Sequence, residues 1–138
     1  MNKKNFLQKG YKEFKAPAKI NLFLKVIGKR DDGFHKLQSV FQLIDLYDYI
    51  YIRIRDDSEI NFINDSSEIG KLDDLGLRAA QLILTNKNIG VDIHVKKNIP
   101  IGAGLGGGSS DAASILMGIN HLANINLSKK ELIALGLS

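Results

Sequence analysis

The stretch from Gly102 to Gly108 contains five glycines in seven positions, and Ser109 and Ser110 follow it directly. Glycine packs nothing and costs backbone entropy, so such density is expected where the backbone needs φ angles that a Cβ forbids. A loop of this kind can turn several N–H groups toward one ligand. We expect Ser109 or Ser110 to cap a helix that continues to about Ala123, whose first-turn amides and dipole attract anions. The stretch therefore predicts a phosphate-binding loop.

Three known glycine motifs fit this loop less well. Gly102, Gly104 and Gly107 satisfy the pattern G-x-G-x-x-G, but its dinucleotide-binding version requires an early βαβ unit and an acidic residue about 20 positions later. Residues 126–128 supply no acidic side chain. A Walker A loop needs a lysine directly before its Ser or Thr, and the glycine loop of protein kinases lies in a hairpin. The remaining alternative is a glycine-rich turn that binds no ligand.

Other polar residues that could do chemistry lie far from this loop in the sequence. Lys19 and Asn21 interrupt an apolar strand pattern, and a lysine there could hold phosphate charge or help ionise a hydroxyl. The alternative for Lys19 is a surface lysine on an edge strand. His35 follows Phe34 in a loop, where it is either solvated or in contact with a ligand. Phe34 is either a core residue or an aromatic plate for a base.

Asp111 and His94 have simple structural interpretations. Asp111 would lie in the first turn of the loop's helix, where a carboxylate is favourable for dipole reasons alone. Its contact with a phosphate would need a cation such as Mg²⁺ between the two groups. His94 alternates with apolar neighbours and is interpreted as part of the polar face of its strand.

A second functional alternative concerns the strand from Tyr47 to Arg55, one face of which carries aromatic and basic side chains. Aromatic and basic groups on one sheet face are typical of RNA-binding sheets. The net charge of +4 and the pI of about 9.3 come without a concentrated basic patch. We therefore favour an anionic small molecule over nucleic acid as the partner.

The hydrophobic periodicity predicts strands in the first part of the chain and helices mainly in the second. A polar loop over 64–70 precedes a helix that starts near Leu72, with Asp73 and Asp74 at its positive end, and stops at Asn88–Gly90. Ser128 and Glu131 form a capping-box pattern that opens a last helix. Strands are predicted over 14–27, with Pro17 at a strand start, an edge or a bulge, and over 37–46, 47–55, 59–63 and 91–96. This order predicts an α+β fold.

The composition is that of one ordinary globular domain of 138 residues. The chain has no cysteine, which suits a reducing cytosol, and no apolar run long enough to span a membrane. The basic start has no apolar region of the kind that a secretory signal needs. We expect a cytoplasmic domain with a flexible lead-in over residues 1–12 and no membrane partner.

Three segments together carry a family resemblance: Pro17–Leu24, Asp32–Gln42 and Ile99–Ala113. In this order they resemble the GHMP kinase superfamily, which includes galactokinase, homoserine kinase and mevalonate kinase. The glycine segment is typical of the superfamily as a whole. The first two segments resemble the member that phosphorylates the 2-hydroxyl of diphosphocytidyl methylerythritol in non-mevalonate isoprenoid synthesis. The resemblance runs from about Ala16 to the last residue.

The resemblance implies an N-terminal kinase domain, similar in fold to the second domain of ribosomal protein S5. It implies that Lys19 is the active-site lysine, that Asn21 faces the substrate, and that Phe34 and His35 stack on and hydrogen-bond the cytosine. ATP and Mg²⁺ are the implied cofactors, and Asp74 stands where the family places an Asn near adenine. The residues implied to bind the ATP phosphates are Pro100, Gly102, Ala103, Gly104, Leu105, Gly106, Gly107, Gly108, Ser109 and Ser110.

Two departures from the family pattern stand out. Asp73-Asp74-Leu75 replaces the usual Asp-Asn-Leu, and a carboxylate at Asp74 cannot donate a hydrogen bond to adenine. A Gly-Ala-Asp-Val-Pro segment, whose aspartate is the family's base, does not occur before Ser138. We therefore expect the front half of a kinase without its second domain. The alternatives are a nucleotide-binding or inactive fragment without turnover, or part of another small-molecule kinase of the superfamily.

Overall fold

A computed structural model describes residues 1–66 and 74–137 of the chain. The predicted helix start at Leu72 and Asp73, and most of the predicted loop over 64–70, lie outside the described residues. The elements, in chain order, are α1 (Lys3–Gln8), β1 (Lys12–Lys29), β2 (His35–Arg55), β3 (Ile60–Asn64), α2 (Leu75–Ile83), β4 (Gly90–Lys96), α3 (Gly107–Leu122) and α4 (Lys129–Leu137).

The strands form one sheet in the order β1-β2-β4-β3, in which β3 and β4 are parallel and the other pairs antiparallel. Alternate residues of β2 and β4 pack against α2 and α3, and this layer is the core. Each fully buried aliphatic side chain contributes about 1.5–3 kcal/mol. The predicted α+β class is confirmed. The core side chains of the two central strands are Ile50, Ile52, Val91, Ile93 and Val95.

Helix α1 covers the other face of the sheet. Asn2 caps it by accepting a hydrogen bond from the Asn5 amide, and Phe6 is buried. The Phe6 ring stacks on Tyr51 with centroids 4.1 Å apart and meets His94 edge-on at 4.9 Å. The sequence predicts only a polar lead-in here, because six residues with one buried side chain carry almost no periodic signal.

Strand β2 is one continuous strand, whereas the sequence predicts two strands that meet at Leu46 and Tyr47. No turn residue separates them, and β2 pairs with β1 from His35 to Ile52. It pairs with β4 only from Tyr49 onward. The first half of β2 and the second half of β1 therefore form a two-stranded ribbon that extends beyond the rest of the sheet. Its exposed apolar side chains include Leu22, Phe23, Leu24, Val26, Leu37, Val40, Phe41 and Leu43.

Strand β1 is irregular where it approaches the glycine loop. Its register with β2 shifts between Pro17 and Lys19 and again between Asn21 and Phe23. A bulge on an edge strand is where a proline is tolerated, since Pro17 has no N–H to donate. The predicted position of Pro17 is confirmed. The two shifts break the regular alternation of the strand and set the direction of the side chains between them.

The helix ends differ from prediction at two places. Helix α3 begins at Gly107 with Gly106 as its N-cap, so the predicted capping by Ser109 or Ser110 is wrong. The left-handed φ of +69° at Gly106 turns the chain into the helix before the serines are reached. Helix α2 ends at Ile83, earlier than predicted, and Asn86 follows in the left-handed region. The capping box of α4 is confirmed by reciprocal hydrogen bonds between Ser128 and Glu131.

Candidate functional site

The glycine loop runs from Pro100 to Gly106 and joins β4 to α3. Its three alternate glycines Gly102, Gly104 and Gly106 have φ angles of +73°, +74° and +69°. Residues with a Cβ rarely adopt this region, which costs them about 1–2 kcal/mol. A side chain at Gly102 or Gly104 would meet open space, so these two glycines are needed for conformation and not for room.

The loop leads directly into α3, whose first amides have no hydrogen-bond partner within the helix. The first helical hydrogen bond runs from the Ser110 amide to the Gly106 carbonyl, at 3.0 Å. The amides of Gly107, Gly108 and Ser109 precede it, and no side chain caps them. Together with the helix dipole, such amides attract an anion.

A cavity of about 240 Å³ lies in front of these amides. The glycine loop and the first turn of α3 form most of its wall, and Leu75 closes one side. Leu75 and Ser109 also line a neighbouring, mainly apolar cavity of about 390 Å³ between α2, α3 and α4. The loop therefore borders one concavity at the free amides of α3 and a second, mainly apolar one beside it, an arrangement that suits a phosphate attached to an apolar or aromatic group.

Lys19 is brought directly to the loop by a backbone hydrogen bond. Its N–H donates to the carbonyl of Leu105 at 2.9 Å. Its side chain crosses Gly106, where an added Cβ would lie 2.9 Å from Cε and 3.2 Å from Cγ. Its Nζ donates to Oδ1 of Asn21 at 3.2 Å. A cation, its polar neighbour and the glycine loop therefore meet at one place, although some 80 residues separate them in sequence.

Phe34 and His35 lie at the opposite end of the ribbon. His35 pairs with Lys29 near the tip, whereas Lys19 pairs with Leu43 at the base. Phe34 is 69% exposed, and its amide donates to Asp32 at 3.1 Å. The structure does not bring these two residues to the glycine loop within this chain, and their role at a cytosine stays a prediction.

Asp74 is the N-cap of α2. Its Oδ1 accepts hydrogen bonds from the amides of Gly76 at 2.8 Å and Leu77 at 3.3 Å, and its Oδ2 accepts one from Asn64 at 2.8 Å. The side chain is buried, with both oxygens engaged in holding the helix. A carboxylate is one of the best capping groups, which explains why an aspartate is tolerated here. Its predicted place beside adenine stays a prediction.

A buried ion cluster, formed by Asp48, Lys97 and Asp111, lies behind the glycine loop and was not predicted from the sequence. The Lys97 ammonium donates to both carboxylates, at 2.5 Å to Asp48 and 2.8 Å to Asp111. Asp48 also accepts from the backbone amides of Asn98 and Ile99, at 2.7 and 2.8 Å. The sequence signal was an aspartate at position 48 on the strand face that otherwise carries Ile50, Ile52 and Ile54.

The cluster perturbs the ionisation of all three groups. Burial, and after it the neighbouring Asp48 carboxyl, raise the pKa of Asp111 to about 8 against the opposing effect of Lys97. Burial alone would also raise the pKa of Asp48, but hydrogen bonds from Asp111, the two amides and Lys97 lower it overall. Burial opposes the charge of Lys97, and its bonds to the two carboxylates outweigh that effect and raise its pKa.

The interpretation of Asp111 as a simple first-turn carboxylate is wrong. The helix starts at Gly107, which puts Asp111 in the second turn, where it is buried and paired with Lys97. His94 is partly buried beneath Phe6, and burial lowers its pKa. Helix α1 therefore covers the face of the strand on which His94 lies.

The basic and aromatic face of β2 is engaged in contacts within the chain. Tyr51 is buried under Phe6 and donates to Glu13 at 2.9 Å. Arg53 and Arg55 both bind the buried carboxylate of Asp92, at 2.7 Å each. These residues stabilise the sheet, and among them only the two arginines keep substantial exposure. In the described part of the chain, no helix has the length and apolar character needed to cross a membrane.

Part of the chain matches a known protein family. Residues 74–138 match the family model of the GHMP kinases N terminal domain. A crystal structure of mevalonate kinase shares the fold, with a TM-score of 0.67 at 19% identity over 91% of this chain and 45% of that chain. The second half of the chain is therefore similar to the N-terminal domain of the GHMP kinases.

More similar relatives come from one branch of this class. The chain is 50% identical over 125 residues to 4-diphosphocytidyl-2-C-methyl-D-erythritol kinase of Polynucleobacter asymbioticus, a match that covers 89% of this chain and 42% of the relative. The kinase of the same name from Janthinobacterium sp. is 52% identical over 88% of this chain and 45% of its own length. A crystal structure of 4-(cytidine 5'-diphospho)-2C-methyl-D-erythritol kinase superposes with a TM-score of 0.77 and 38% identity, over 91% of this chain and 44% of that chain. The chain thus spans less than half the length of these relatives.

Proposed function

We propose that the chain is the ATP-binding domain of a kinase that phosphorylates the 2-hydroxyl of 4-diphosphocytidyl-2-C-methyl-D-erythritol. The observation that carries the proposal is the glycine loop, whose left-handed glycines open the first amides of α3 toward a cavity next to Lys19. The choice of substrate is supported by relatives of that name at about half identity. Within the chain, the loop and Lys19 are the parts that recognise a nucleotide phosphate.

Phosphoryl transfer depends mainly on alignment and on stabilisation of charge at the transferred group. In the proposal, the amides of Gly107, Gly108 and Ser109 hold phosphate oxygens. Lys19 supplies the positive charge, and its bond to Asn21 fixes the direction of the ammonium. The hydroxyls of Ser109 and Ser110 lie at the same helix start and add donors. The apolar cavity beyond Leu75 is the space into which a nucleoside attached to these phosphates would extend.

Mg²⁺ belongs to the proposal as the companion of the ATP phosphates, whose charge it neutralises when bound. Among the described residues, no three carboxylate or histidine side chains come together in a way that could hold a metal ion. Asp111, the acidic residue nearest the loop in sequence, is buried and bound to Lys97. These residues alone do not make a magnesium site, and no step is assigned to the ion.

The proposal is tested first by binding. Isothermal titration calorimetry of the chain with ATP should give one site, and Lys19→Ala should weaken it by about tenfold, a loss of about 1.4 kcal/mol. Lys25→Ala is the matched control, because Lys25 lies further along the same strand and is exposed. Absence of ATP binding by the wild-type chain would refute the assignment of the loop. Equal affinities of the two lysine variants would refute the role of Lys19.

The substrate is tested by turnover. With a full-length kinase that carries this domain, a coupled assay of ADP release should respond to 4-diphosphocytidyl-2-C-methyl-D-erythritol and not to mevalonate or homoserine. Phe34→Ala and His35→Ala should then raise KM for the cytidine compound and leave the affinity for ATP unchanged, because both residues lie away from the glycine loop. A response to mevalonate or homoserine instead would refute the proposed substrate and leave ATP binding standing.

A further inference from the structure

Both ends of the glycine loop are attached to the buried ion cluster of Asp48, Lys97 and Asp111. On the side where the chain enters the loop, Asp48 accepts the amides of Asn98 and Ile99, the two residues before Pro100. On the side where it leaves, Asp111 is part of α3 and accepts from Lys97. Lys97 joins the two carboxylates, so strand β2, the end of β4 and the start of α3 share one polar contact point.

Lys97 also lies directly behind the first helical residue. A Cβ added to Gly107 would be 3.3 Å from Nζ of Lys97 and 3.0 Å from the side chain of Ile99. The Lys97 side chain is 6% exposed, so its ammonium faces the interior and not the cavity. Its effect on an anion in the cavity would pass through the position of the loop, which makes Lys97 a positioning residue and not a phosphate ligand.

We propose that Asp48, Lys97 and Asp111 position the glycine loop for phosphate, and that Asp111 takes part in its protonated form. The identity of the anion as ATP rests on the proposed function, whereas the positioning of the loop does not. A cluster with two ionised carboxylates and one ammonium would place a net negative charge behind an anion site. A proton on Asp111 makes the cluster neutral.

The contacts of Asp111 are consistent with this protonation. Its Oδ2 accepts from Lys97, whereas Oδ1 is buried and has no hydrogen-bond partner among the described residues. A buried polar atom without a partner costs about 1–3 kcal/mol. The Asp48 carboxyl lies within hydrogen-bonding reach of Asp111, and burial raises the pKa of Asp111 to about 8. One proton shared by the carboxyl groups of Asp48 and Asp111 accounts for both the unpartnered Oδ1 and the raised pKa of Asp111.

The charged groups around Asp111 are few in the part of the chain that the structure describes. Asp48 faces it from β2 and Lys97 from the end of β4. Lys19 of β1 lies beyond Gly106 and is bound to Asn21, and Asp74 at the start of α2 is bound to Asn64. Burial and the two cluster partners therefore determine the protonation of Asp111.

The first experiment compares Lys97→Met with Lys96→Met in the full 138-residue chain. Lys96 is the neighbouring lysine, and its ammonium donates to the Met1 carbonyl away from the cluster. Amide hydrogen exchange should show protection lost at Asn98 and Ile99 in the Lys97 variant, by about tenfold more than at Ile93 of the core. The Lys96 variant should keep the wild-type pattern. A uniform loss across the sheet, or equal patterns in both variants, would overturn the positioning role.

The second experiment compares Asp111→Asn with Asp111→Leu. Asparagine has the shape of a protonated aspartate, accepts from Lys97 and donates to Asp48, so protection at Ile99 should stay within about twofold of wild type. Leucine should reproduce the loss seen in Lys97→Met. If Asp111→Asn loses as much protection as Asp111→Leu, the carboxylate must be charged and the proton assignment is overturned. The comparison of the two Asp111 variants tests the protonation of Asp111 even if Lys97→Met does not fold.

ATP affinity supplies a readout that separates the two proposals. Lys97→Met should weaken ATP binding by about tenfold, equivalent to about 1.4 kcal/mol, and Asp111→Asn should leave it near the wild-type value. If wild-type chain binds no ATP, the proposed function fails while the exchange data still decide the role of the cluster. If ATP binds equally well to wild type and Lys97→Met, the cluster does not position the loop.

Discussion

Replacing Gly106 by alanine adds a Cβ at the point where the glycine loop, helix α3 and Lys19 meet. Two separate costs follow. Alanine at a φ of +69° is strained by about 1–2 kcal/mol, partly offset by about 0.4–1 kcal/mol from the reduced entropy of the unfolded chain. The new Cβ would also lie 2.9 Å from Cε of Lys19, closer than carbon atoms approach, so the lysine side chain must move.

The structure provides controls that separate these costs. Gly102 and Gly104 have nearly the same φ, and a Cβ at either would meet nothing within 4 Å. Gly102→Ala and Gly104→Ala should therefore lower the free energy of unfolding by about 1 kcal/mol each, from conformation alone. Gly106→Ala should lower it by about 2 kcal/mol, because it carries the conformational cost and the displacement of Lys19.

A double-mutant cycle with Lys19→Ala isolates the contact. Removing the lysine side chain removes the atoms that a Cβ at Gly106 would meet, so the cost of Gly106→Ala should fall by about 1 kcal/mol in that background. The cost of Gly104→Ala should be the same in both backgrounds. Urea unfolding of the six proteins gives all the required values. An unchanged cost of Gly106→Ala in the absence of Lys19 would show that Lys19 does not pack on the glycine loop.

Three further predictions concern the cluster, α1 and α4. Because the pKa of Asp111 is raised from 3.8 to about 8 on folding, the folded chain holds a proton that the unfolded chain lacks, and stability should fall as the pH rises from about 4 to about 8. Asp111→Asn should reduce this slope by up to about 1.4 kcal/mol per pH unit in urea unfolding, and parallel pH profiles of the two proteins would contradict the shift. Phe6→Ala should lower the free energy of unfolding by about 3 kcal/mol, because the ring is buried on Tyr51. Leu7→Ala truncates an exposed side chain and should lower it by less than about 1 kcal/mol. Equal melting points of the two variants would show that α1 does not cover the sheet. Ser128→Ala should cost about 1 kcal/mol and lower the helical circular dichroism, and no change in either would exclude the capping box.

The parts of the fold that the sequence predicts well are those with a local cause. Apolar and polar residues alternate in β4, the glycines of the loop need unusual φ angles, and Ser128 with Glu131 caps α4. Each of these signals lies within a few residues of sequence. Helix α1 was missed because its support comes from Tyr51 in a distant strand. The continuity of β2 was missed because an edge ribbon with both faces exposed has no core pattern to mark it.

The candidate site also contains parts that the sequence predicts and parts that it does not. The loop could be located from glycine density alone. Lys19 and Asn21 stand out locally only as polar interruptions of a strand, and the resemblance gives each of them a specific role. The cluster behind the loop could not be predicted, because Asp48, Lys97 and Asp111 belong to three separate elements and meet only in the folded chain. An aspartate in a strand and one in a helix are ordinary surface residues until the topology buries them together.

Glycine conformations determine the shape of the loop, but they cannot determine where the loop lies. Its place is fixed by bonds from outside the loop: the Lys19 amide donates to Leu105 on one side, and Asp48 accepts the amides of Asn98 and Ile99 on the other. Lys19 belongs to β1 and Asp48 to β2, and these two strands also form the extended ribbon. A change that shifts this pair would therefore move the loop, Lys19 and the cluster as one unit, whereas a change within the loop alters its shape and leaves the cluster in place. Substitutions at glycine and substitutions at the cluster should accordingly differ in kind: the first should leave the protection of Asn98 and Ile99 intact, and the second should remove it.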